Sequence, residues 1–191
     1  MGLALTIVLL LVFATNRIDK KHFNTVQNAV TTLYTDRVVA QDFIYRMNTI
    51  VYQKHLDLLD KNSVNDTLNK EFYLLLENFS KTKLTFKEAT IFKRVKDDFE
   101  KLLLTEKKVS EGQQDRKLVV ENLKIIKEDL ITLSKIQTTE SKQLTSLAQK
   151  SLDTNNLMSN FEIGFILLIG LLLQFTIFYR VKKTKTTVLN E

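Results

Sequence analysis

Cysteine and proline are both missing from the sequence, and glycine occurs four times. Without cysteine the chain can form no disulfide, thiolate nucleophile, haem attachment or Cys-based zinc site. Without proline, and with so little glycine, the commonest helix breakers are rare. Leu, Lys, Glu, Thr and Gln are plentiful and suit long helices. The first prediction is therefore an all-α chain.

Several kinds of chemistry also lack their sequence signals. The glycines stand apart, so they form no phosphate-binding loop. His22 and His55 are 33 residues apart on one predicted helix. That spacing corresponds to about 50 Å, too far to share a metal within one chain. No G-x-S-x-G nucleophile signature occurs. We expect no enzyme, no catalytic residue, no cofactor and no metal site.

The net charge of +6 raises the question of nucleic acid. Part of the excess is concentrated near the C-terminus, whereas residues 16–160 carry nearly as many acidic as basic side chains. The Lys and Glu residues of this middle region alternate along predicted helices, which is typical of a solvated surface. We expect no nucleic-acid partner.

Two apolar runs predict contact with a lipid bilayer. Residues 2–14 form a run of thirteen, roughly 20 Å as a helix against a hydrocarbon core of about 30 Å. We favour a membrane helix over residues 1–15 whose natural start lies upstream of Met1. The alternative is a signal cleaved after Ala14, but the basic segment that such signals need is missing. Residues 161–180 predict a complete second membrane helix.

The orientation follows from the residues after the second run. Arg180, Lys182 and Lys183 come directly after Phe178 and Tyr179. Basic residues beside a membrane helix stay on the cytoplasmic side, with aromatic residues at the interface. A short basic tail, 181–191, is therefore expected in the cytoplasm. Two crossings also place the N-terminus there and residues 16–160 outside.

Gln174, near the end of the second run, has two interpretations. It could hydrogen-bond a partner helix within the membrane, or it could reach the lipid headgroups.

Between the apolar runs, apolar residues spaced alternately four and three apart predict four helices, at about 17–60, 65–82, 86–109 and 113–160. Ser63 with Asp66, and Thr85 with Glu88, resemble capping boxes at two helix starts. Short turns make consecutive helices antiparallel, so we expect an up-down-up-down bundle whose first and fourth helices continue into the membrane helices. Those two helices are longer than the middle pair, which predicts a distal four-helix core on a two-helix stalk. We call the apolar residues that each helix is predicted to turn toward the core its seam. The four seams are Val26, Val30, Leu33, Ala40, Ile44, Met47, Val51 and Leu58; Leu68, Phe72, Leu75 and Phe79; Phe92, Val95, Phe99 and Leu102; and Val119, Leu123, Ile126, Leu130, Leu133, Leu144 and Leu147.

Polar residues interrupt these seams. Arg37 and Lys54 interrupt the first, and Gln137 and Glu140 the fourth. Counted from the two membrane helices, Arg37 and Glu140 lie at one height, so we predict that they pair and fix the register. The alternative is that Arg37, with Arg46, faces a second protomer and binds an anionic ligand.

The stretch from Phe79 to Lys96 contains an aromatic residue, Leu84-Thr85, Glu88 three residues later, and then Phe92. With the order of anchor, bundle and anchor, it resembles the four-helix-bundle ligand-binding domain of bacterial methyl-accepting chemotaxis receptors. The resemblance covers nearly the whole chain and implies a periplasmic bundle on the bacterial inner membrane, dimeric through its first and fourth helices. Twelve residues follow Tyr179, so we expect no HAMP linker or signalling hairpin within this sequence.

Two classes of function remain. We favour an accessory or interaction subunit of an inner-membrane protein complex, which contacts other membrane proteins or a second copy of itself. The alternative is a chemoreceptor-like sensor ectodomain that binds a small ligand or periplasmic protein and signals through a partner. The sequence offers Arg37, Arg46, Glu140 and Gln174 as candidate ligand or partner residues.

Overall fold

The computed structural model describes residues 2–60, 66–112 and 116–188. Every regular element among them is a helix, as predicted. The elements are α1 (Gly2–Thr32), a π-helical segment (Leu33–Val38), α2 (Val39–Asp60), α3 (Asp66–Ser80), α4 (Phe86–Ser110) and α5 (Arg116–Val188). The predicted continuity of the fourth helix into the second apolar run is confirmed, because α5 is unbroken over 73 residues.

Two turns show how local sequence ends and starts these helices. Thr85 caps α4: its side chain accepts a hydrogen bond from the Glu88 amide while the Glu88 carboxylate accepts one from the Thr85 amide. This reciprocal capping box confirms the prediction. After α4, Gly112 adopts φ +71° and its amide bonds the Val109 carbonyl. A left-handed residue after a helix is where glycine is favoured. The predicted Ser63–Asp66 box lies partly outside the described residues.

The chain divides into two compact units. Residues 29–145 form one unit, whose single apolar core takes side chains from α2, α3, α4 and α5. Phe72 and Phe99 stack there with ring centroids 4.0 Å apart, and Phe79 lies 4.9 Å from Phe92. Such aromatic pairs add about 0.5 to 1.5 kcal/mol each beyond burial. Most predicted seam residues are buried in this core.

Two predicted seam residues are wrong. Val30 is 55% exposed and its neighbour Ala29 is buried, so the seam in this part of the chain is displaced by one residue. The π-helical segment explains the displacement, because its wider turns take up an extra residue before α2. Leu147 is also exposed rather than buried.

The second unit comprises residues 1–28 and 146–191. Thr15 Oγ1 donates a hydrogen bond to Glu162 Oε1 at 2.8 Å, and His22 Nδ1 lies 2.9 Å from Ser151 Oγ. A later residue of α1 thus pairs with an earlier residue of α5, so the two helices are antiparallel in this unit. Among the described residues, α5 is the one helix long and apolar enough to cross a membrane, judged by length and composition.

Candidate functional site

A buried cluster surrounds Arg37. Its Nη1 donates to Glu88 Oε1 at 2.8 Å and to Gln137 Oε1 at 3.1 Å, and its Nη2 donates to the Lys83 carbonyl at 3.3 Å. The side chains of Arg37 and Glu88 are 5% and 0% exposed. The predicted pairing of Arg37 with Glu140 is therefore wrong. Counting heights along two helices ignored the segment between α3 and α4, which supplies Lys83, and the first turn of α4, which supplies Glu88.

Glu88 serves two structural roles at once. One carboxylate oxygen accepts a hydrogen bond from the Arg37 guanidinium, and the other accepts a hydrogen bond of 2.6 Å from the Thr85 amide. The carboxylate also lies at the N-terminus of α4, where the helix dipole favours negative charge. Arg37 is thus bound inside its own chain and is closed to solvent. It does not offer its guanidinium to a second protomer.

Two further ion pairs tie helices of this unit together. Lys54 Nζ bonds both carboxylate oxygens of Glu106, at 2.7 and 2.9 Å, and both side chains are nearly fully buried. Arg94 binds Asp129 through two hydrogen bonds of 2.6 and 3.2 Å. Charged partners in fixed positions specify which residues of two helices meet, even when burial offsets their attraction. The sequence analysis named Lys54 as a seam interruption but did not find its partner.

The other predicted site residues do not converge with Arg37. Arg46 is half-exposed and bonds Glu71 on α3 at 3.1 Å. Glu140 is partly buried on α5, and Gln174 is exposed within its apolar part. The roles predicted for Arg46, Glu140 and Gln174 stay predictions.

The outer side of α2, together with Val38 directly before it, carries an apolar stripe that sequence analysis missed. Four large apolar side chains recur every seven residues, at Val38, Tyr45, Tyr52 and Leu59. They are 52%, 70%, 60% and 70% exposed. The same helix buries Ala40, Ile44, Met47 and Val51 on its other side. We call Val38, Tyr45, Tyr52 and Leu59 the outer stripe. The heptad spacing of these four residues is visible in the sequence. It was missed because the buried residues of the same helix repeat with the same period and were taken as its one apolar face.

A groove runs beside the outer stripe, between α2 and α5, with a volume of about 390 Å³. Val51, Val120 and Leu123 give it an apolar floor, and Tyr52 joins it to the stripe. A second groove of about 380 Å³ adjoins it through Val120 and includes Leu58 and Leu59. The outer side of α2 and α5 therefore combines exposed aromatic side chains with apolar depressions, the composition typical of a protein interface.

The described part of the chain contains no cluster of metal-binding side chains. No set of three or more His, Cys, Asp or Glu residues there could hold a metal ion. His22 and Ser151 do form a hydrogen bond, but Ser151 is buried between the two helices. That contact ties α1 to α5.

Comparisons with protein-family models, curated proteins and solved structures return no match for this chain.

Proposed function

We propose that this chain is a non-catalytic, membrane-anchored four-helix bundle that acts as an interaction subunit of a bacterial inner-membrane protein complex. The outer stripe of α2 is the surface on which a partner docks. The exposure of Val38, Tyr45, Tyr52 and Leu59 at heptad spacing is the observation that carries the proposal.

The bundle arrangement is supported by residue pairs within residues 29–145. Asp36 pairs with Lys83, and Arg46 pairs with Glu71, so the chain runs in opposite directions through α2 and α3. The same reasoning applies to α4 and α5, where Arg94 pairs with Asp129 and Thr105 with Asn122. Residues 37 and 54 pair with 88 and 106, which makes α2 and α4 parallel. These directions fit an up-down-up-down bundle.

The membrane anchor is supported by the apolar part of α5 and by the α1–α5 contacts. The apolar window of α5 has no residue buried inside the structure. Thr15 and Glu162 stand at the inner ends of the two apolar runs and are hydrogen-bonded, which is consistent with two membrane helices side by side. Arg180, Lys182 and Lys183 favour a cytoplasmic C-terminus, and hence a periplasmic bundle.

The outer stripe supports docking because exposed apolar heptads are costly without a partner. From Val38 to Leu59 the stripe covers about 30 Å at 1.5 Å per residue. Exposed apolar side chains that recur along one face of a helix are typical of an interaction surface. Tyr is among the residues that contribute most binding energy at protein interfaces. A partner helix packed along the stripe would bury all four side chains.

Co-purification from native membranes in mild detergent tests this function. The full-length chain should bring down a stoichiometric protein partner. The double variant Tyr45→Ser/Tyr52→Ser should lose most of that partner, because two large apolar contacts are removed. The control Leu74→Ser/Leu104→Ser changes two comparably exposed apolar residues on α3 and α4 and should retain it. An isolated dimer stabilised by one metabolite, with no second protein, would contradict the proposal and favour the sensor.

A further inference from the structure

The groove between α2 and α5 has a one-sided charge. The ionisable side chains among its described lining residues, apart from Tyr52, are His55, Lys124 and Lys127. The adjoining groove adds Arg116 and Lys117. No acidic residue is among the described residues that line either groove.

The acidic residues nearest in sequence to Lys124 and Lys127 leave the charge of these two lysines largely unbalanced. Glu128 approaches Lys124 at 4.0 Å, and both side chains are well exposed. An exposed pair at that distance contributes little and is screened by salt. Neither Asp57 on α2 nor Glu121 on α5 lines either groove.

We propose that the partner docked on the outer stripe is an acidic amphipathic helix of another protein. Its apolar face packs on Tyr52 and on the groove floor of Val51, Val120 and Leu123, and its carboxylates face Lys124 and Lys127. This inference rests on the proposed docking function and names the chemistry of the partner. The heptad spacing of the stripe is typical of helix–helix packing and favours a helix as the occupant. Lys124 and Lys127 beside the groove favour an occupant with negative charge.

The same charge argues against a second copy of this chain in the groove. A two-fold symmetric contact places the same patch of both subunits face to face. The basic side of the groove would then face the same basic surface of the second copy, and like charges brought together at an interface cost binding energy. An acidic helix meets no such repulsion.

Two synthetic peptides of about 21 residues test the inference. Both carry Leu at the heptad a and d positions. One has Glu at e and g, and the other has Lys. Binding to the full-length chain in nanodiscs of neutral phosphatidylcholine is followed by fluorescence anisotropy, with empty nanodiscs subtracted. The Glu peptide should bind at least roughly tenfold more tightly than the Lys peptide, and its affinity should fall as salt rises.

Charge reversal supplies the decisive variant. Lys124→Glu/Lys127→Glu should invert the preference, so that the Lys peptide becomes the tighter ligand. The control Lys93→Glu/Lys101→Glu makes the same change in net charge on exposed positions of α4 and should keep the original preference. Equal binding of both peptides, or the same inversion in the control, would overturn the inference.

Two further outcomes separate this inference from the docking function. If the native partner co-purifies equally well with Lys124→Glu/Lys127→Glu but not with Tyr45→Ser/Tyr52→Ser, docking stands and the acidic partner is wrong. If analytical ultracentrifugation shows a wild-type dimer that Lys124→Glu/Lys127→Glu dissociates, the occupant is a second copy, and the inference is overturned.

Discussion

Arg37 and Glu88 show what a buried charge contributes in the compact unit of residues 29–145. Removing both charges from water costs several kcal/mol each, which their attraction and hydrogen bonds offset. Arg37 also bonds Gln137 and the Lys83 carbonyl, so one guanidinium contacts three separate parts of the chain. Its main effect is on which packing is selected, because any shifted register leaves a buried charge unpaired.

Substitution of one partner should therefore be costly. Arg37→Met leaves the Glu88 carboxylate buried without its cation, and we expect the free energy of unfolding to fall by about 3 to 5 kcal/mol. The double variant Arg37→Met/Glu88→Gln should lose less than the sum of the single losses, because no unpaired charge remains. Urea unfolding of the full-length chain in detergent, followed by circular dichroism, measures each value.

The exposed pair of Arg46 and Glu71 is the matched control for this cycle. Arg46→Met should change the free energy of unfolding by less than about 1 kcal/mol, as is usual for surface pairs. If Arg37→Met were as mild as Arg46→Met, the Arg37 cluster would not fix the packing.

Sequence analysis found part of this cluster. Arg37 and Gln137 were visible as polar interruptions of apolar seams, and Glu88 as a capping residue, because those signals are local. Their convergence was not visible, because it depends on where the turn between α3 and α4 lies relative to α5 in the folded unit. Glu140 was predicted as the partner only because it and Arg37 lie at similar distances, counted in residues, from the two predicted membrane helices.

The π-helical segment is the element that sequence analysis could not anticipate. A four-three count assumes uniform α-helical turns, and Leu33–Val38 departs from them. Buried Ala29 consequently lies eight residues before buried Arg37, and exposed Val30 lies eight before exposed Val38. The π-helical segment thus contains one extra residue and still keeps the buried face and the exposed face aligned before and after it.

Deletion of one residue from this segment should leave both faces unchanged. Thr35 is exposed, and its hydroxyl bonds the Thr31 carbonyl. Without Thr35, Ala29 and Arg37 lie seven positions apart, the spacing that places two residues on one face of a regular α-helix. We expect a cysteine at position 30 to react quickly with maleimide, and a cysteine at position 29 to react slowly, both in the unaltered chain and in the deletion variant.

The two cysteine positions serve as controls for each other, since they are adjacent. If the deletion made position 29 reactive and protected position 30, the π-helical segment would not be what takes up the extra residue.

At the scale of the whole molecule, the all-helical class and the unbroken α5 followed from the absence of proline and the long apolar periodicity. One candidate membrane span in α5 also agrees with the apolar run near the C-terminus. The outer stripe was missed for a physical reason. A heptad pattern shows that a face is apolar but does not show which of two apolar faces the chain itself covers.

The central claim is that the bundle lies outside the cytoplasm with the outer stripe of α2 covered by a partner, and cysteine labelling tests both parts together. The chain has no cysteine, so single cysteines at 45, 52, 74 and 104 can be compared directly. In spheroplasts, a membrane-impermeant maleimide should label positions 74 and 104 readily, and positions 45 and 52 only after solubilisation releases the partner. Equal labelling of all four in spheroplasts would contradict docking, and labelling of none before permeabilisation would contradict the periplasmic bundle.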